Sequence, residues 1–151
     1  MKIVKYYLND CLTAITALGS AYFYFLLLVF LLTINKVSLV FQIALGLLLC
    51  YAVIFIFRIF YFKERPIKED YINFFTKINA SSFPSMHTLS FTFTSIVLIK
   101  TLNNISVTIF LLIVSILVGY SRIYIKKHFF ADVLYGWILG IITGLVYLAL
   151  V

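Results

Sequence analysis

The chain has 151 residues, 64% of them hydrophobic and 11% charged, with a mean hydropathy of +1.13. That composition excludes a soluble domain; since a membrane-crossing helix takes roughly 20 apolar residues, it leaves room for about five of them in one domain. The net charge of +7 does not form a face for nucleic acid, because the aromatics lie inside apolar runs. The cations are read as facing anionic lipid headgroups and phosphates.

In chain order, residues 1–10 set Lys2, Lys5 and Asp10 around Tyr6 and Tyr7 and read as an interfacial lead-in. The first expected span is 11–33, long enough to cross and without a small-residue cleavage site, so it is expected to stay in the protein. Ile34, Asn35 and Lys36 turn the chain into a second span, 37–62. Arg58 lies near the end of that span, where an arginine reaching to the headgroups is the plain alternative to a functional one. Residues 63–83 are the longest polar stretch, with Glu64, Arg65, Lys68, Glu69, Asp70 and Lys77. Within it Tyr71, Phe74, Phe75 and Ile78 recur at helical spacing and predict a short amphipathic helix in the interface.

Pro84 suits the first turn of a third helix, with Ser85, Met86 and His87 at its N-terminus. Free N–H groups and the positive end of the dipole favour an anion there. This span runs to 102, Asn103 and Asn104 turn the chain, and a fourth span covers 105–120 with Arg122 at its end. A basic link with Lys126 and Lys127 leads to a fifth span from about His128 to the C-terminus. Gly136, Gly140 and Gly144, four residues apart, mark a face for close helix packing. Cys11 and Cys50 lack metal-ligand spacing and read as packing residues.

The rare chemistry falls in three short clusters. The chain has two histidines and two prolines, and they lie in Arg65-Pro66, Pro84-Ser85-Met86-His87 and the segment from Ser121 to Asp132. Asp132, the only acidic residue after Asp70, stands four positions beyond His128. On a helix the two side chains would share a face, letting the carboxylate hold one ring nitrogen and leave the other as a nucleophile or base. The alternative is an ordinary helix start, with Asp132 in the first turn and His128 at the interface.

Strict alternation of spans places the end near Arg58, the start at Ser85, the end at Arg122 and the start at His128 on one membrane face. Guanidinium forks suit a tetrahedral oxyanion, the helix terminus adds donors, and two imidazoles allow attack and proton delivery. No carboxylate cluster or Cys/His set offers a metal site. The expected chemistry is phosphoryl transfer at a membrane surface without metal or other cofactor.

These residues resemble the type-2 phosphatidic acid phosphatase superfamily of membrane lipid phosphatases, which shares its site with vanadium haloperoxidases. The family pattern is K-x6-R-P, then P-S-G-H, then S-R-x5-H-x3-D. The third motif is complete as Ser121-Arg122, His128 and Asp132. The second has Met86 in the glycine position, and the first has Arg58 in place of lysine before Arg65-Pro66. The resemblance covers residues 58–132 of a single domain, 1–151. It implies an all-α integral membrane bundle with an interfacial active-site loop; the family commonly has six spans, and the apolar runs of this chain number about five.

It also implies His128 as nucleophile with Asp132 orienting it, and His87 as acid and then base. Arg58, Arg65, Ser85, Met86 through its backbone N–H, and Arg122 would bind the phosphoryl oxygens. The implied substrate is a lipid phosphate or diphosphate, with a prenyl diphosphate, phosphatidic acid and phosphatidylglycerophosphate all fitting. A lipid phosphotransferase and a non-catalytic lipid-phosphate-binding membrane protein are the alternatives. Nothing in the sequence sets an oligomeric state. Of the twelve Lys and Arg, ten fall on the site face and only Lys36 and Lys100 on the other. Positive charge concentrates on the cytoplasmic side, whereas relatives of this family commonly act on the outer face of the cell membrane.

Overall fold

The computed structural model describes residues 2–151, with side chains described from Tyr6 onward. Seven helices account for most of this length: α1 (Lys2–Ala17), α2 (Ala21–Thr33), α3 (Val37–Phe60), α4 (Phe74–Ala80), α5 (Met86–Leu102), α6 (Ile105–Tyr124) and α7 (Phe130–Leu150). Polar residues set the boundaries. Ser20 accepts from the Phe23 N–H to start α2, Asn73 and Thr76 cap each other's backbone in α4, and Asn104 accepts from the N–H groups of Ser106 and Val107 to start α6. Asn35 and Asn103 take positive φ in the turns after α2 and α5, a conformation asparagine tolerates better than most residues.

Helices α3, α6 and α7 are each long and apolar enough to cross a membrane, and α1 with α2 passes the same test as one span broken by 59°. The fifth apolar helix, α5, has only 17 residues, about 25 Å at 1.5 Å per residue. It is the central helix: Thr88 through Ser95 are buried all round, and it packs most extensively on α7, then on α6 and α3. The outer helices keep leucine, isoleucine and phenylalanine exposed, the pattern of a bundle solvated by lipid. The protein is an all-α integral membrane bundle.

The expected glycine row forms the α5–α7 seam. A Cβ on Gly136 would stand 2.8 Å from the Ser85 carbonyl oxygen, and one on Gly140 2.8 Å from that of Leu89. Only glycine lets the two backbones approach this closely.

Four sequence expectations need correction. The first span is not continuous, because the chain breaks over Leu18, Gly19 and Ser20, and the lead-in is itself helical from Lys2. Pro84 precedes the N-cap Ser85 instead of opening the helix. Helix α6 runs one turn past residue 120, so Ser121 and Arg122 are helical. His128 lies outside α7, whose N-cap is Phe129, so it cannot share a helical face with Asp132. The interfacial helix expected around 71–78 is α4, with Phe74 and Phe75 exposed and Ile78 buried.

Candidate active site

The C-terminal ends of α3 and α6, the N-terminal ends of α5 and α7 and the break between α1 and α2 meet at one end of the bundle. Threaded through them are the last turn of α4 and the irregular segment 81–85 that follows it, where no continuing helix supplies N–H donors to the carbonyls. Functional side chains take them up. Arg58 donates Nη1 to Ile78 O at 3.3 Å and Nη2 to Pro84 O at 3.2 Å. Arg65 donates Nη2 to Asn79 O at 2.7 Å, and His128 Nδ1 meets Ser82 O at 2.6 Å.

The last contact fixes the imidazole tautomer. A carbonyl oxygen only accepts, so Nδ1 carries the proton and Nε2 keeps a free lone pair. His128 is 2% exposed. Burial, then the positive charges of Arg122 and Arg65, hold it well below its ordinary value of 6.5, against the opposing pull of the Ser82 hydrogen bond. The ring is therefore neutral at neutral pH, with Nε2 unprotonated.

Asp132 does not hold that ring. Its Oδ2 is 3.9 Å from His128 Nδ1 and accepts instead from the Phe129 N–H at 2.8 Å, closing the first turn of α7. Its Oδ1 accepts from Lys63 Nζ at 2.6 Å. The carboxylate is fully buried, and Lys63 is the cation that matches it. Its backbone carbonyl accepts from Ser85 N at 2.9 Å, joining α7 to the start of α5.

Arg58 and Arg122 are buried, and the Arg65 side chain is only 12% exposed. Arg122 donates Nη1 to Thr16 Oγ1 at 3.2 Å, and the same hydroxyl accepts from Ser121 Oγ at 3.0 Å. Arg65 pairs with Glu69, which also receives Lys127. Burial pushes the Glu69 carboxyl up, but Lys127 and Arg65 outweigh it and leave the group below its usual range. Among the described residues, each of the three arginines retains a buried Nε–H without a partner. Buried donors are seldom left unpaired, and here three belong to permanent cations whose charges all reach His128 and His87.

His87 is half-buried and follows Met86 in the first turn of α5. It packs on the break between α1 and α2, where a Cβ on Gly19 would stand 2.6 Å from His87 Cβ. Ser85 is fully buried, and its hydroxyl bonds Thr88 Oγ1 at 2.9 Å instead of capping the helix, so the first N–H groups of α5 have no side-chain cap. The Met86 side chain turns toward the core and lines, with Arg58, Tyr51, Ile54, Phe55, Ile78 and Asn79, a cavity of about 130 Å³. A polar cleft of about 260 Å³ adjoins Arg65 and Glu69 in the loop before α4.

All eight residues singled out from the sequence thus lie at this end of the bundle. Lys63, Thr16, Gly19 and the carbonyl of Ser82 were not among them. A lysine among headgroup-facing cations, a threonine in an apolar run and a backbone oxygen give no distinguishing signal. Only the isolation of Asp132, with no other acid after Asp70, hints that it needs a distant cation.

The fold is matched by solved structures. Aquifex aeolicus LpxE superposes with a TM-score of 0.77 at 30% identity, over 94% of this chain and 86% of that one. The PAP2-type phosphatidylglycerolphosphate phosphatase of Bacillus subtilis shares the fold with a TM-score of 0.72 at 24% identity, over 95% and 76%. No curated protein sequence matches the chain. The PAP2 superfamily profile matches residues 39–151, from the first turn of α3 to the C-terminus and across every motif residue of the site, and the chain belongs to that superfamily.

Proposed function

We propose that the protein is a metal-independent membrane phosphatase that hydrolyses a lipid phosphate or diphosphate through a phosphohistidine on His128. The observation that carries this reading is the set of three buried, unpartnered arginine Nε–H groups around a neutral imidazole whose Nε2 is free. A tetrahedral oxyanion supplies the acceptors those donors lack.

In the proposed reaction the Nε2 lone pair forms a bond to phosphorus while the bond from phosphorus to the leaving oxygen breaks. His87 gives that oxygen its proton. An arriving phosphate offsets the arginine charges that face His87, so proton uptake by His87 accompanies substrate binding. Water then loses a proton to His87, attacks phosphorus and breaks the N–P bond, releasing inorganic phosphate and free His128. Arg58, Arg65, Arg122 and the uncapped N–H groups at Met86 and His87 hold the oxygens as charge shifts.

The site stands at the headgroup end of a lipid-facing bundle, which suits a substrate whose tails stay in the bilayer. A prenyl diphosphate is the favoured substrate, because this compact form of the family leaves little room to recognise an elaborate headgroup. The charge asymmetry supports a site on the cytoplasmic face of the cell membrane.

The test is phosphate release by detergent-purified protein from a panel of lipid phosphates and diphosphates, with EDTA present and His128→Ala as control. The expected result is release that survives EDTA and is lost in the variant. Transfer of phosphate to a lipid acceptor instead of water, or no turnover by folded protein, would replace this reading with a transferase or a binding protein.

A further inference from the structure

Lys63 lies outside the motifs recognised in the sequence, yet it touches both partners that define His128. Its ammonium is 2.6 Å from Asp132 Oδ1 and 4.6 Å from the Phe129 ring centroid. Its backbone carbonyl accepts from Ser82 N at 2.8 Å, and its N–H donates to Ser81 Oγ at 3.2 Å. The carbonyl of that same Ser82 fixes the His128 tautomer.

We propose that Lys63 is a positioning residue of the active site: by neutralising Asp132 it keeps the carboxylate from drawing a proton or the ring of His128 toward itself. This assignment takes its catalytic meaning from the phosphatase reading above.

The geometry supplies the physics. Asp132 is fully buried and 3.9 Å from His128 Nδ1. A buried carboxylate without a counter-ion is costly, and it seeks the nearest group that can become a cation. With Lys63 in place that group is the ammonium. Without it, the nearest group is His128, which would gain a second proton and lose the Nε2 lone pair. The other charged groups facing His128 are Arg58 on α3, Arg65 with its partner Glu69 in the loop and Arg122 on α6, with His87 of α5 at the same end of the bundle and Lys127 preceding His128 in the chain. Lys63→Gln leaves all of them unchanged, so a changed titration of His128 reports on the pair with Asp132.

The experiment uses histidine-labelled protein and NMR, which is tractable because the chain has two histidines and a His87→Gln variant assigns them. In Lys63→Gln the His128 titration is expected to move up by about one pH unit. The acid limb of kcat should move with it, kcat should fall about tenfold or more, and KM should stay within about twofold because Lys63 makes no phosphate contact. Lys63→Arg, which retains the charge, should titrate and turn over like the parent. An unchanged His128 titration in Lys63→Gln overturns the assignment, and so does a Lys63→Arg variant as impaired as Lys63→Gln. The titration needs no turnover: a shift in a protein that releases no phosphate would sink the phosphatase reading and leave Lys63 as the residue that sets His128.

Discussion

His128 donates its Nδ1 proton to the carbonyl of Ser82 across 2.6 Å, from a bend before α7 to the irregular segment before α5. A backbone oxygen therefore sets the tautomer that sequence spacing assigned to Asp132. Arg58 and Arg65 bond carbonyls of the last turn of α4 and of Pro84 just beyond it, so the end of α4 and the backbone that follows orient the imidazole and two of the three arginines.

The depressed basicity of His128 makes stability depend on pH. Between its low folded value and the ordinary 6.5, the unfolded chain binds a proton that the folded one does not, so stability falls as pH drops through that window. The loss approaches about 1.4 kcal/mol for each pH unit. Thermal melting in detergent should therefore move to lower temperature from pH 7 to pH 5, and less steeply in His128→Gln. Equal slopes in the two proteins would contradict a buried neutral imidazole.

Among the described residues, Thr16 is the one side-chain partner of the Arg122 guanidinium, at 3.2 Å, and it also accepts from Ser121. Thr16→Val keeps the shape and removes the acceptor, which should cost about 1–3 kcal/mol of stability. If Arg122 binds the transferred phosphoryl group, kcat/KM falls about tenfold through its misplacement. Thr16→Ser should retain both, and a fully active Thr16→Val would show that α1 does not position Arg122.

The sequence revealed the membrane class, the main spans and the convergence of the motif residues, because those depend on apolar run length and alternation. It did not reveal how the site is wired. The pairing of His128 with Asp132 assumed a helix through residue 128, but the chain makes a non-helical turn there: Lys127 and His128 donate their N–H groups to Arg122 O, and Lys126 takes positive φ. The Lys63–Asp132 pair joins residues 69 apart, and no local pattern encodes a contact at that range. The break at Gly19 hides within an apolar run that reads as one continuous span.

The glycine row of α7 should respond unevenly to alanine. At Gly136 a Cβ would stand 2.8 Å from the Ser85 backbone oxygen and 3.0 Å from Thr88 Cβ, whereas at Gly144 it meets only the Ile96 side chain at 3.0–3.2 Å. Backbone cannot yield without moving the α5 N-terminus, so Gly136→Ala should lose about 1–3 kcal/mol and most of its phosphate release. Gly144→Ala, facing a side chain that can shift, should lose under about 1 kcal/mol and stay active. Equal activity in the two variants would mean that the seam positions nothing in the site.

Orientation follows from charge, and the pairing of those charges sharpens the expectation. Arg58, Arg65 and Arg122 are proposed to bind phosphate, Lys63 and Lys127 are paired with Asp132 and Glu69, and Lys68 is paired with Glu64. Lys2, Lys5, Lys77 and Lys126 remain on the site face, against Lys36 and Lys100 on the other. The bias survives removal of these charges, and from the positive-inside tendency we expect the site on the cytoplasmic side. In a background with the exposed Cys11 and buried Cys50 replaced, a cysteine at Lys36 should react with a membrane-impermeant maleimide in intact cells. One at Lys68, whose side chain is 77% exposed, should react only after permeabilisation. The reverse labelling would put the site on the outer face, with phosphate binding as the reason for its basic charge.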